Sequence, residues 1–310
     1  MIGLGLVVLL GENQMQYNIN GKEYTYNASI LANEQIRLSF NNLAQKTFRL
    51  NFETWYQNGY WEKGYIPHVL LDNSLVVANV SVNIINTIWK SQKKCYIQLG
   101  TVMTDIEYRN KGLARFLINK VLEEWTDKCD AVYLFANGSV RDFYPKFGFV
   151  TAIEYQSEMP INKTQGTVKK LDMSSAQDRV FLLSKYAESN PFSVLPMLDN
   201  AGLFMFYCTQ FMIDNIYYIE KYDAIVIAEY KDDNLLCFDI FCSNDKDLSD
   251  ILSIMATERT KNVVFGFTPK QACDYKISQF NQEDTTLFVL NSKENIFAHN
   301  QLMFPLLSHA

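Results

Sequence analysis

The chain has 310 residues and a formal net charge of −6, with 28 Lys and Arg set against 34 Asp and Glu. Hydrophobic residues make up 48% and charged residues 20%, which fills a sizeable core and excludes a disordered chain. The acidic balance and the lack of a basic stripe argue against nucleic acid as a partner, and the length predicts about two domains.

Met1 to Leu10 is almost wholly apolar, too short to span a bilayer, with no Lys or Arg ahead of it. Residues 1–14 read as an apolar N-terminal extension, with Met15 as an alternative start and an added edge strand as the plainer reading. Asn33 to Lys46 places Ile36, Phe40 and Leu43 at helical spacing. Phe52 to Trp61 is aromatic and predicts a short helix and a loop. Tyr65 to Leu71 and Leu75 to Asn83, separated by Asp72-Asn73-Ser74, predict a hairpin. Tyr96 to Thr104 predicts a third strand. Gly112 to Trp125 predicts an amphipathic helix with Leu113, Phe116, Leu117, Val121 and Trp125 on one face. A strand follows at Ala131 to Ala136, then a short helix that Gly148 ends.

The stretch from Glu158 to Lys170 holds Pro160, Asn162, Lys163 and Gly166 and is the linker candidate. Beyond it the pattern predicts a helix over Ser174 to Glu188 and strands over Ala224 to Tyr230 and Leu235 to Phe241. A helix over Leu248 to Ala256 and a strand over Asn262 to Phe267 follow. This order of strand, turn, strand, helix and strand repeats that of residues 65–135 in pattern, though not in identity.

The six cysteines include no C-x-x-C, and no two of the three histidines have metal-ligand spacing. A metal is therefore not expected, and scattered thiols without a secretory signal fit a reduced, cytoplasmic protein.

The chemistry-bearing segment is Gly100 to Ala114, GTVMTDIEYRNKGLA. A strand ends, a loop carries Arg109, Asn110 and Lys111, and a helix begins at Gly112, Leu113 and Ala114. Backbone N–H groups at a helix start are unpaired and carry partial positive charge, so a pyrophosphate suits the place. Gly112 permits close approach, and Arg109 and Lys111 add charge. An ordinary strand-to-helix connection can also carry such a glycine.

The pattern R-x-x-G-L-A resembles the coenzyme A loop of the GNAT superfamily of acyl-CoA-dependent N-acetyltransferases, with Arg109, Gly112 and Ala114 on its fixed positions. A second signature follows. Asn137 lies seven residues before Tyr144 of Y-P-K-F-G-F, which resembles that family's Asn and Y-x-x-x-G-F. Pro145 departs from the usual polar residue. The resemblance covers roughly residues 15–160.

The resemblance implies a GNAT fold of the α/β (α+β) class: a mixed, mostly antiparallel sheet with a splayed parallel strand pair. It implies acetyl-CoA as co-substrate, held in the V between Tyr96–Thr104 and Ala131–Ala136. Backbone around Val102, Met103 and Thr104 would pair with the pantetheine arm, the Met103 amide would polarise the thioester, and Arg109 to Ala114 would take the pyrophosphate. Asn137 would contact the pantetheine, and Tyr144 would protonate the leaving thiolate. The acceptor pocket is expected at Phe52, Trp55, Tyr56, Tyr60 and Trp61, with His68 facing either the pocket or solvent.

The base is unassigned, because the central strand CYIQLGTVMT has no carboxylate and Asp105 and Glu107 lie beside the phosphates. Some family members with extra domains place the chain's end in the active site, so His309 or Ala310 is one source. A frayed edge strand is the other reading of that tail.

The expected division is an extension (1–14), a GNAT domain (15–160) and a degenerate GNAT-like domain (161–310). In the second half the position of the phosphate loop reads CSNDKDL, and Asp245 and Asp247 would repel phosphate. The expected function is direct acetyl transfer to a primary amine of a small molecule or a protein, without an acetyl-cysteine intermediate. A noncatalytic acyl-CoA sensor and a purely structural protein are the alternatives. No nucleic-acid or membrane partner is expected, and a homodimer is the default assembly.

Overall fold

The computed structural model describes residues 14–270, 275–281 and 284–310. The apolar run Met1 to Leu10 and Cys273 lie outside the described residues. The first half runs β1 (Gln14–Ile19), β2 (Lys22–Asn27), α1 (Glu34–Phe48), α2 (Glu53–Gln57), β3 (Tyr65–Asp72), β4 (Leu75–Trp89) and β5 (Gln92–Thr104). It continues with α3 (Leu113–Trp125), β6 (Ala131–Asn137) and β7 (Phe149–Ala152). Then come β8 (Tyr155–Pro160), β9 (Val168–Lys170), α4 (Ala176–Tyr186), α5 (Ala201–Gln210), β10 (Ile216–Ile219), β11 (Ala224–Lys231) and β12 (Asn234–Phe241). The last elements are α6 (Leu248–Met255), β13 (Asn262–Phe265), β14 (Lys276–Gln279) and β15 (Thr285–Leu290).

Local chemistry sets many of these boundaries. Asn33 caps α1 by accepting from the Ile36 amide at 3.1 Å. Ile36, Phe40, Leu43 and Ala44 form its buried stripe, and the helix stops at Arg49 in the left-handed region. The β3–β4 turn places Asn73 at φ 57°, a conformation asparagine tolerates. Helix α3 buries Leu113, Leu117, Ile118 and Val121. Phe116 and Trp125, expected on that stripe, lie at its partly exposed edge.

Two mixed sheets result, in the order β1-β2-β3-β4-β5-β6-β15-β7 and β14-β8-β13-β12-β11-β10-β9. Among the described residues each has one parallel pair, β5 with β6 and β12 with β13, and every other pairing is antiparallel. Helix α3 packs on one face of the first sheet, and α1 and α2 pack on the other. Helix α6 covers the second sheet. A further core, with Tyr96, Tyr133, Leu203, Phe204, Phe241 and Phe304, joins the two lobes.

Sheet membership departs from a division at residue 160. Strand β8 precedes that point yet pairs with β13 and β14 of the second sheet. Strand β15 comes far after it yet inserts between β6 and β7 of the first. Strand pairing is non-local, so the order of elements along the chain does not reveal which sheet a strand completes.

The tail is not a frayed edge. Met303, Phe304, Leu307 and Ser308 are buried, and the Phe304 ring stacks on Tyr133 at 4.0 Å. Burying side chains such as Met303, Phe304 and Leu307 contributes about 2 kcal/mol each toward holding the tail in place. Residues 302–310 run between the lobes and end against β5.

Candidate active site

Strands β5 and β6 pair only from Tyr96 with Ala131 to Leu99 with Leu134. Beyond those residues the two strands have no mutual register, and a V opens. On its other edge β5 is bulged against β4, because Asn79 pairs with Met103 while Ser81 pairs with Gly100. Thr101 sits in this bulge at φ 48°, a strained position for a β-branched residue. Three contacts hold it there. Its carbonyl accepts from Asn79 Nδ2 at 2.8 Å, its hydroxyl bonds Tyr65 Oη at 2.7 Å, and Ser81 Oγ supports Tyr65 at 2.9 Å. A bulge re-aims the strand, and past this one Met103 and Thr104 resume pairing with Asn79 and Ala78 of β4, on the edge away from the V.

After β5 the chain makes a short turn and enters α3 at Gly112, φ 80°, with no side-chain cap on the helix. A glycine cap leaves the first-turn N–H groups of Leu113, Ala114 and Arg115 facing outward, as an anion requires. The loop is braced from the β1–β2 turn, where Asn20 Nδ2 donates to the Lys111 carbonyl at 2.9 Å. Lys111 Nζ lies 4.7 Å above the Tyr108 ring, and Tyr108 donates to Asp72 at 2.6 Å. Arg109 Nε reaches back toward the Thr104 carbonyl at 3.4 Å. Asp105 accepts from the Glu107 amide at 3.1 Å and pairs with Lys46 at 3.7 Å. The structure thus brings Arg109 to Ala114 to one helix start at the open end of the V.

Asn137 is exposed at the end of β6 and accepts from Ser139 Oγ at 2.7 Å. Tyr144 opens a single helical turn and packs against Phe143, Phe149 and Phe288. Burial pushes its phenol up to about 12, so it carries its proton throughout the neutral range.

On the α1–α2 face lies a cavity of about 260 Å³. Phe52 and Trp55 form one wall, and Leu203, Phe206, Tyr207 and Phe211 of the α5 region form the other. Tyr65 and Thr101 close the sheet side, and His309 and Ala310 close the last. Helix α5 comes close enough that a Cβ on Gly202 would stand 2.4 Å from the Tyr60 carbonyl. Trp55 Nε1 donates to the Gly202 carbonyl at 2.8 Å.

Four residues expected at the pocket do not line it; the first, Tyr56, instead lies under the Arg37 guanidinium at 3.8 Å. Trp61 stands behind Trp55, stacked at 5.4 Å. Tyr60 packs at the border of two cores. His68 points to the opposite face of the sheet, where its Nδ1 meets Tyr26 Oη at 2.6 Å, and burial lowers its pKa to about 4. Alternation along β3 explains this, since Tyr65 and His68 are three residues apart and so face opposite sides. It is Tyr65 that looks into the cavity.

The chain's end is placed closely. Gln98 Nε2 lies 3.2 Å from the Ala310 oxygen, and a Cβ on Gly100 would stand 2.7 Å from it. Tyr207 Oη donates to the His309 carbonyl at 2.7 Å, and the His309 ring stacks on Phe135 at 3.9 Å. Burial lowers the His309 pKa to about 3, so that ring is neutral. Gly100 was the available sequence signal for this contact, because a glycine inside a strand often marks a close backbone approach.

Residues 68–151 match a family model described as an acetyltransferase (GNAT) domain. No curated protein sequence matches the chain. Among solved structures, a probable N-acyltransferase from Enterococcus faecalis is similar at 11% identity and TM-score 0.54, over 83% of this chain and 70% of that one. A GCN5-related N-acetyltransferase from Anabaena variabilis is similar at 14% and 0.54, over 87% and 73%. Eis1 from Mycobacterium abscessus is similar at 11% and 0.53, over 86% and 73%. At these identities the likeness is one of fold, and it extends across both lobes.

Proposed function

We propose that this chain, which carries a GNAT acyltransferase domain in residues 68–151, transfers an acetyl group from acetyl-CoA directly to a primary amine. The observation that carries this reading is the uncapped start of α3 at left-handed Gly112, at the mouth of a V where β5 and β6 part. Those residues fit a pyrophosphate, since the N–H groups point outward, no side chain occupies them, and Arg109 and Lys111 are adjacent.

When bound, acetyl-CoA supplies a thioester already activated for acyl transfer. Val102 to Thr104, which have no register with β6, would offer backbone groups to an extended arm, and the Met103 amide would polarise the thioester carbonyl. The acceptor enters the aromatic cavity as an ammonium and loses that proton to solvent before it attacks. As the N–C bond forms and the C–S bond breaks, one of the two amine protons is released to solvent and the other stays on the amide. Tyr144 gives its proton to the sulfur and regains one from solvent. The thiols support direct transfer. Among the described residues, burial pushes Cys129 and Cys242 up to about 11, raises Cys95, and raises Cys208 and Cys237 well above the ordinary range, so none of these is primed as a nucleophile.

The test is thiol release from acetyl-CoA in the presence of amines, for the wild type and Tyr144→Phe. The substitution is expected to lower kcat about 100-fold with acetyl-CoA affinity unchanged. Because Tyr144 titrates only near 12, the wild-type rate is not expected to fall between pH 7 and 10 through loss of this proton. An unchanged kcat in Tyr144→Phe removes the residue from the mechanism.

A further inference from the structure

The cavity beneath the V is almost wholly apolar. Phe52, Trp55, Phe206, Phe211 and Leu203 contribute only carbon and ring surface, apart from an indole N–H already donated to the Gly202 carbonyl. Its hydroxyls are also engaged, Tyr65 with Thr101 and Ser81 and Tyr207 with the His309 carbonyl. No Asp or Glu side chain lines it. The polar atoms left to face a ligand are the Ala310 oxygen, which Gln98 holds from behind, and His309 Nε2, which is buried without a hydrogen-bond partner. At about 260 Å³ the cavity is smaller than those that take drug-sized ligands.

Resting on the transfer reading above, we propose that the acceptor is a compact monoamine with an apolar, preferably aromatic, body: an arylalkylamine. One ammonium group is satisfied by the Ala310 oxygen and by the faces of the surrounding rings. The body replaces water against Phe52, Trp55 and Phe206. A second ammonium, as in a diamine or an aminoglycoside, would be buried without an anionic partner, and that is strongly disfavoured. A peptide chain would bring backbone groups that the paired hydroxyls cannot satisfy. His309 does not oppose an ammonium here, because its ring is neutral.

Steady-state thiol release is measured with 2-phenylethylamine, 1,4-diaminobutane, kanamycin and trialanine, with acetyl-CoA binding followed separately by calorimetry. The wild type is expected to show kcat/KM for 2-phenylethylamine at least about tenfold above each of the others, since one unpaired buried charge costs at least that factor. Phe211→Asp provides a second arm. Phe211 is half exposed at the rim, so the new carboxylate does not hollow the core. It is expected to shift the preference about tenfold toward 1,4-diaminobutane by giving the second ammonium a partner. A wild type that prefers the diamine, kanamycin or trialanine overturns the proposal, as does Phe211→Asp with unaltered preference. Acetyl-CoA binding without any reaction of 2-phenylethylamine overturns this proposal alone, whereas failure to bind acetyl-CoA overturns the transfer reading and this one with it.

Discussion

The two lobes build the same junction and fill it differently. In the first, β5 is bulged, pairs in parallel with β6 for four residues, and feeds α3 through Gly112. In the second, β12 is likewise bulged against β11, pairs in parallel with β13 for four residues, and feeds α6. There the resemblance ends. Helix α6 starts at Asp247, whose carboxylate accepts from the Ser249 and Asp250 amides at 2.9 and 3.1 Å. The Ser249 hydroxyl, donating at 2.7 Å, and then those amides hold the carboxyl below its usual pKa, so the helix start already carries its anion.

The second V is occupied as well. The Gly266 amide bonds Cys237 at 2.7 Å, and the Leu306 amide bonds the Gly266 carbonyl at 2.8 Å, which lays the tail along the gap. A fold can therefore keep its bulge, its parallel pair and its helix while its own atoms take the ligand's place. What separates the two junctions is the cap residue and the contents of the V.

The comparison breaks most sharply at Gly112. Gly112→Glu places a side chain at φ 80°, 3.0 Å from Asn20 Nδ2, and adds a negative charge at the proposed phosphate position. Strain and repulsion together are expected to weaken acetyl-CoA binding by about 100-fold or more. The measurement is calorimetric titration beside a thermal melt that shows the variant folded.

Gly100→Ala acts next. Its Cβ would meet the Ala310 oxygen at 2.7 Å and must push the tail's end away. It is expected to lower kcat on the order of tenfold to 100-fold, as a displaced substrate-positioning group does, with acetyl-CoA affinity kept. Equal loss of affinity would show that Gly100 serves the coenzyme rather than the tail.

A third effect concerns what holds the tail. Glu154 is buried and accepts from the Phe304 amide at 2.8 Å, and burial pushes its carboxyl up to about 7. With a folded pKa above the unfolded value of about 4.5, the unfolded chain ionises first as pH rises. Stability therefore falls between about pH 4.5 and 7 and levels off above. Glu154→Gln keeps the acceptor and removes the titration. It is expected to raise stability at pH 8 on the order of 1–2 kcal/mol and to flatten that slope, read by denaturant melts at pH 5 and 8.

The smallest effect tests the copy. Asp247→Ala removes the cap of α6 and is expected to cost about 1 kcal/mol of stability, leaving acetyl-CoA affinity untouched. A second coenzyme site appearing in this variant would show that the cap alone closes the second junction.

The first lobe was legible because its signals are local. Helices α1 and α3, the β3–β4 hairpin and the loop from Arg109 to Ala114 announce themselves in spacing, turn residues and motif. The aromatic run at Phe52 and Trp55 pointed to the cavity wall. Three things were not legible. Helix α5 reads AGLFMFYCTQ, apolar on all sides because it is buried between lobes, so it has no periodicity to detect. Strand β15 and the tail reach the first sheet from more than a hundred residues away, and no local pattern encodes that pairing. The bulge at Thr101 alters which side chains share a face, and nothing in GTVMT marks it. His68 was misassigned for a simpler reason, since strict alternation from Tyr65 already sends it to the other side.

The central claim is that one junction of the two takes the coenzyme. Its most direct test is the stoichiometry of acetyl-CoA binding to the wild-type chain by calorimetric titration. The account predicts one site per chain. Two sites per chain, or none, would contradict it.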